Sequence, residues 1–183
     1  KHAVALVKID GELAKNQVRA MYDYQNDDGM IADCIFRDTS LEKHNWRDTK
    51  PPLSSWAIWE IYKQTQDTTF LNEMYPKLVR YHEWWYAFRD FDKDGLCEYG
   101  STDGSLIAAK WESGMDNAIR FDQCKIVEGS GYSINTESVD LNSYLAKEKE
   151  YLSKMAKVLK RAEHTKWEQE FNALSDRIRN DFY

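Results

Sequence analysis

The chain has 183 residues, 42% of them hydrophobic and 31% charged, and a formal net charge of −6. This length buries a sizeable core without disulfide or metal staples, and the composition is that of a folded rather than a disordered chain. The acidic balance argues against a general nucleic-acid binder, and no apolar run reaches the ~18 residues of a membrane helix. Cys34, Cys97 and Cys124 share no short metal-ligand spacing and are read as free or buried thiols. Seven Trp, eleven Tyr and seven Phe are the unusual feature. Most are expected to pack a core, while aromatic faces also stack on sugar rings.

In chain order, residues 11–25 carry apolar positions at helical spacing. Residues 51–65 open with Pro51-Pro52, suited to a helix start, and are apolar nearly all round, as a helix buried on several sides would be. Asp67 can cap a short helix through Asn72. Pro76 is expected to break it, with a new helix running to about Asp90. Residues 91–137 hold most of the glycines and read as loops around one short helix near 113–121. Residues 138–160 and 161–182 read as two further helices, the second clearly amphipathic.

A weak repeat joins these elements. Asn26-Asp27-Asp28-Gly29 follows one helix and Asp92-Lys93-Asp94-Gly95 another, with the glycines 66 residues apart. Repeated helical pairs predict a solenoid or a closed helical toroid. At this period the chain holds under three pairs, so the array is open or the chain is a fragment.

Three segments concentrate chemistry. In Asn45-Trp46-Arg47-Asp48-Thr49-Lys50-Pro51-Pro52, Trp46 can stack on a sugar or pack in the core. Arg47 and Lys50 can donate to sugar hydroxyls or hold the loop by ion pairs. In Asp90 to Gly100, the residues Asp90, Asp92, Asp94 and Gly95 match positions 1, 3, 5 and 6 of a calcium loop. The Leu96 carbonyl then falls at position 7 and Glu98 at position 9. Position 12 is Ser101, so this is no EF-hand; the choice is between a structural Ca²⁺ and a solvated acidic turn. In Lys110-Trp111-Glu112-Ser113-Gly114-Met115-Asp116-Asn117, Glu112 and Asp116 would share a helical face. Trp111 can stack or pack, and Asn117 can bind sugar or cap a helix. Asp140 and Asn142 open the next helix with the same two options. His2, His44, His82 and His164 form no metal-binding pair, and no phosphate loop or Ser/Cys nucleophile motif is present.

The ordered runs N-W-R-D-T-K-P-P-L, D-G-L-C-E-Y-G, W-E-S-G-M-D-N and E-S-V-D-L-N-S-Y-L together resemble glycoside hydrolase family 63, that of processing α-glucosidase I and related bacterial α-glucosidases. The resemblance implies an all-α chain forming roughly half of an (α/α)6 barrel. Residues 1–183 would be part of a single catalytic domain, with N-terminal and C-terminal portions absent. It implies inverting hydrolysis of a terminal α-glucosidic bond in a di- or oligosaccharide, with a trehalose- or mannosyl-type substrate as a related possibility, Asp116 as general acid and the general base outside the chain. Trp46, Arg47, Lys50, Trp111, Glu112 and Asn117 are then expected to contact substrate. Some similar bacterial members bind calcium at the acidic turn, so Asp90, Asp92, Asp94, Leu96 and Glu98 are its expected ligands. No organic cofactor, nucleic acid or membrane is expected. The expected partner besides the oligosaccharide is the remainder of the barrel or another copy of the chain, and the resemblance favours the bacterial periplasm or exterior. Two other readings remain: a non-catalytic sugar-binding toroid and a helical-repeat interaction scaffold.

Overall fold

A computed structural model describes residues 1–40 and 42–182. The helices are α1 (His2–Leu6), α2 (Gly11–Tyr22), α3 (Ser54–Thr65), α4 (Thr68–Phe88), α5 (Leu106–Glu112), α6 (Val139–Val158) and α7 (His164–Phe182). Two small antiparallel sheets sit in the connections. One pairs β1 (Cys34–Ile35) with β2 (His44–Asn45). The other has β5 (Tyr132–Glu137) between β3 (Glu98–Ser101) and β4 (Ile126–Glu128). No described helix is long and apolar enough to cross a membrane.

Three of the helices, α2, α4 and α5, begin where a side chain replaces a missing amide acceptor of the first turn. Asp10 accepts from the Leu13 N–H (2.9 Å), Asp67 from that of Phe70 (3.0 Å) and Ser105 from that of Ala108 (3.3 Å). Gln66 takes the left-handed conformation, φ 53°, so that α3 and α4 join through two residues.

The expected break at Pro76 does not occur: α4 runs through it. A proline inside a helix costs about 3 kcal/mol. Phe70, Leu71, Met74 and Tyr75 before it, and Leu78, Tyr81, Trp84 and Trp85 after it, are all buried. Burial of such side chains contributes about 1.5–3 kcal/mol each, which outweighs the proline. Asn72, whose carbonyl loses its helical donor, lies on the exposed face, where water can replace it.

The core is continuous from α2 (Ala14, Val18) through α3 (Ile58, Ile61) and α4 to α6 (Leu141, Leu145, Leu152) and α7 (Trp167, Leu174). Of the five tryptophans whose helical spacing predicts core packing, Trp84, Trp85 and Trp167 are buried in it; Trp59 is half-buried against it, and Trp56 is half-buried outside it. A polar node ties three helices together: the Ser55 hydroxyl of α3 donates to Glu148 of α6 (2.7 Å), whose other oxygen lies 3.0 Å from His82 Nδ1 of α4. Burial pushes Glu148 up to about 8 and His82 well below its usual range, so the node is most stable uncharged. His82 is therefore a core histidine paired through Nδ1, while its Nε2 is buried without a partner among the described residues.

The stretch 91–137 differs from expectation. It carries the three-stranded sheet, and its helix is α5, which ends at Glu112; residues 113–118 are turns leading to a single 3₁₀ turn, Ile119–Phe121. Strands of three to six residues are too short for periodicity to reveal. The repeat is real at its turns: Gly29 and Gly95 have φ of 105° and 91°, and an extended segment follows each.

Candidate active site

The three chemistry-bearing segments converge on one buried ion pair. Arg89, at the end of α4, donates from Nε and Nη2 to the two oxygens of Glu112, at 2.8 Å each. The Gly100 N–H of β3 donates to the same carboxylate at 2.6 Å and the Thr49 N–H at 3.3 Å. Trp84 stacks under the guanidinium, 4.7 Å from its centre. Both charged side chains are withdrawn from solvent, 1% and 0% exposed. Burial disfavours charge on Glu112; Arg89 and the two amide donors oppose that. Glu112 thus joins the 45–52 loop, the acidic turn and α5 at one point. The expectation of a substrate contact at Glu112 is corrected: it is wholly buried and four donors already occupy its oxygens.

Gly100 is where the chain comes closest. A Cβ there would lie 2.1 Å from the Tyr132 carbonyl oxygen and 2.8 Å from Arg89 Nε. The last glycine of D-G-L-C-E-Y-G is therefore required by the close approach of the β5 backbone and of the Arg89 side chain.

Above this floor, two segments share a rim. Gly114, at φ 66°, lies against the Pro51 ring, so the turn after α5 rests on the 45–52 loop. Asp116 and Asn117 are exposed on that turn, beside Trp111 and Met115, which are 49% and 43% exposed. Asn117 caps nothing: the 3₁₀ turn has Ala118 at its start and no side-chain cap. Ile107 of α5 and Ile119 of the 3₁₀ turn are also exposed, at 64% and 85%. Trp46 is half-buried, packs on the core and lies 5.9 Å from the His44 ring.

The loop's cations are held by acids. Arg47 pairs with Glu42 (3.1 Å) and donates to Asn45 Oδ1 (2.9 Å), which is the loop-holding alternative. Lys50 is half exposed and pairs with Asp33. Asp140 is engaged by two bonds of 2.8 Å from Arg120 and one of 3.2 Å from Tyr99. Asn142 is buried and bonds the Cys97 N–H and carbonyl, both at 2.9 Å, so it pins the acidic turn to α6 and neither caps nor faces sugar.

The carboxylates of Asp90, Asp92 and Asp94 come within 4.8 Å of one another. Among the described residues, one oxygen of buried Asp90 and one of buried Glu98 lack a partner; the other Glu98 oxygen accepts from the Phe91 N–H (3.3 Å). The orphaned Asp90 oxygen fits a cation held with Asp92 and Asp94, while Glu98 lies outside that group of three. Arg177 of α7 reaches the same turn and pairs with Asp94. Leu96 is buried at the inner side of the turn.

A family model described as the mannosylglycerate hydrolase MGH1-like glycoside hydrolase domain matches residues 1–183. The chain belongs to this family. Among curated relatives, it is 27% identical over 141 residues to the mannosylglycerate hydrolase of Thermus thermophilus, an alignment covering 66% of this chain and 32% of that protein. It is 22% identical over 139 residues to mannosylglycerate hydrolase MGH2 of Selaginella moellendorffii, covering 66% and 27%. The alignments thus span about a third of the relatives' length. Among solved structures, the chain superposes on a GH63 mannosylglycerate hydrolase from Thermus thermophilus in complex with Tris, with a TM-score of 0.77 and 18% identity. That match covers 97% of this chain and 56% of the other. The same enzyme in complex with glucose gives 0.69 and 19%, covering 90% and 51%. The fold is therefore that of the GH63 helical barrel, and the resemblance seen in the sequence is correct at the level of family and fold.

Sequence reasoning missed Arg89, Asp33 and Asp48. Asp48 is wholly buried although it lies inside N-W-R-D-T-K. Burial and the neighbouring Asp33 charge push it up to about 7. The one available signal for Arg89 was a lone cation closing an aromatic helix just before an acidic turn.

Proposed function

We propose that this chain carries the acid-bearing side of the active site of an inverting glycoside hydrolase. Residues 1–183 would form part of a single (α/α)6 catalytic domain, with the remainder of that barrel as their partner. Asp116 is the general acid, and the general base comes from outside these residues. The observation that carries this reading is the seating of the Asp116 turn on the Lys50–Pro51 loop above the Arg89–Glu112 pair. It presents one exposed carboxyl, an exposed indole and a cation on a common rim, while Glu112, Asp48 and Asp140 are buried or already engaged.

In this reading the Asp116 carboxyl gives its proton to the glycosidic oxygen as the C1–O bond breaks through an oxocarbenium-like transition state. Water attacks C1 from the opposite face and loses its proton to the base, so an α-glycoside yields a β-sugar. Trp111 supplies a stacking face, Trp46 lines the loop side, and Lys50 and Asn117 donate to substrate oxygens.

The relatives named mannosylglycerate hydrolases support an α-hexoside of a short hydroxy acid such as glycerate. The family resemblance by itself supports a terminal α-glucoside. Anomer-resolved proton NMR with mannosylglycerate, glucosylglycerate and α-linked glucose disaccharides distinguishes them, using the longest natural polypeptide containing this chain. Expected is initial release of the β-anomer, lowered about a thousandfold in Asp116→Asn. Initial release of the α-anomer, or release unaffected by the substitution, overturns the proposal. Saturable sugar binding without turnover replaces it with the sugar-binding reading.

We also propose that Asp90, Asp92, Asp94 and the Leu96 carbonyl hold a structural Ca²⁺, supported by the unpartnered buried Asp90 oxygen. The ion would screen three adjacent carboxylates and pin the turn that leads from Arg89 to Gly100.

A further inference from the structure

Asp48 takes no part in the chemistry above, yet it is wholly buried and its Oδ2 has no hydrogen-bond partner among the described residues. Its other oxygen accepts from Asn45 Nδ2 at 2.9 Å, and the same amide nitrogen donates to Asp33 Oδ2 at 3.2 Å. Asp33 Oδ1 in turn holds the Lys50 ammonium. Two carboxylates thus share one amide group, with the Lys50 ammonium on Asp33 and the Arg47 guanidinium on the side-chain carbonyl oxygen of the same Asn45 at 2.9 Å.

We infer that Asp48 is a positioning residue which, through Asn45 and Asp33, sets how tightly the Lys50 ammonium is held, and that its proton releases Lys50 to the substrate. The inference rests on the proposed role of Lys50 as a substrate contact.

The geometry supplies the coupling. Lys50 is 52% exposed and Asp33 18%, so the ammonium can swing between the acid pair and the rim. The Tyr81 hydroxyl of α4 donates to the Lys50 carbonyl, which restrains the backbone and leaves the motion to the side chain. With Asp48 protonated, Lys50 and Asp33 form a neutral pair. With Asp48 ionised, a second negative charge stands behind Asp33 and draws the ammonium inward. Of the other charges at the site, Glu112 of α5 is matched by Arg89 from the end of α4, and Arg47 is matched by Glu42. Burial and the Asp33 charge bring the change of charge at Asp48 near neutrality. The step is a proton exchange with water and needs no other reactant.

The experiment is an NMR titration of the full polypeptide containing this chain, labelled to report the Lys50 side chain and the aspartate carboxyls. The Lys50 resonance is expected to move with the Asp48 carboxyl, at a midpoint near 7. In Asp48→Asn it should stay flat from about two units below to about two units above that pH. Asp33→Asn should lower the Asp48 midpoint, because it removes the neighbouring charge. In steady-state assays with mannosylglycerate, KM should rise about threefold as Asp48 ionises, the size expected for one added charge several ångström away in a wet site. That rise should vanish in Asp48→Asn. A Lys50 resonance that is flat in the wild type, or still titrates in Asp48→Asn, overturns the inference. If no glycoside is hydrolysed, the proposed activity falls, while the Lys50 titration still decides this point. If Asp48→Asn does not fold, the wild-type and Asp33→Asn titrations decide it.

Discussion

Arg89 and Glu112, 23 residues apart in the chain, meet in a two-point ion pair with bonds of 2.8 Å each and almost no solvent contact. The pair is where the end of α4, the 45–52 loop, β3 and α5 are joined, so the rim residues depend on it for their placement.

Breaking that pair from one side should be severe, because the remaining charge stays buried. Glu112→Gln and Arg89→Met are each expected to lose about 3–5 kcal/mol of stability. The double variant should lose less than the sum, since neither charge is left stranded. Urea denaturation of the four proteins checks this; simple additivity would count against direct coupling.

Gly100→Ala should lose about 3 kcal/mol or more, because the added methyl collides with a strand carbonyl rather than a movable side chain. Gly104→Ala is the contrast. Its φ of 76° is strained for alanine, but the nearest neighbour is the Tyr132 ring at 3.5 Å, so about 1 kcal/mol is expected. Thermal melts of both variants test the difference.

Asp48 makes stability pH-dependent. Its folded-state pKa of about 7 lies above the ordinary 3.8, so between those values the folded protein keeps a proton that the unfolded chain has lost. Its contribution is therefore full below about pH 4 and lost as pH rises through about 7, by up to about 4 kcal/mol. Asp48→Asn, which cannot ionise, should be more stable than the wild type at pH 8, with little difference at pH 4. Urea titrations at the two pH values measure this.

Trp111 is half exposed, so its loss should spare the fold and affect binding. Trp111→Ala should weaken sugar binding about tenfold, as expected from about 50 Å² of lost apolar contact, with a change in stability below about 0.5 kcal/mol. Calorimetric titration with the product sugar, alongside a thermal melt, separates the two.

At the acidic turn, millimolar Ca²⁺ should raise the melting temperature by several degrees over a chelator control, and Asp92→Asn should reduce the rise. Arg177→Gln should enlarge it, because Arg177 competes for Asp94. An unchanged melting temperature would overturn the calcium proposal.

Much was legible in the sequence because it is local. The caps at Asp67 and the helical stripes of α4, α6 and α7 depend on neighbours three or four residues away. The paired acidic-glycine turns depend on a conformation that glycine adopts readily. Ordered motifs were enough to place the chain in its family. Pro76 misled because its local penalty was visible and the burial that overrides it was not.

What only the tertiary structure decided is the state of the acids. Glu112 and Asp116 are alike in sequence, four residues apart in one motif. The fold buries the first under four donors and leaves the second on an open turn. Asp48 reads as a loop residue until Thr49 and Asn45 draw it beneath Lys50. Whether a carboxyl contacts solvent, holds a proton or anchors a loop depends on groups tens of residues away and on the loss of water around it. Neither is written in the spacing of the residue types.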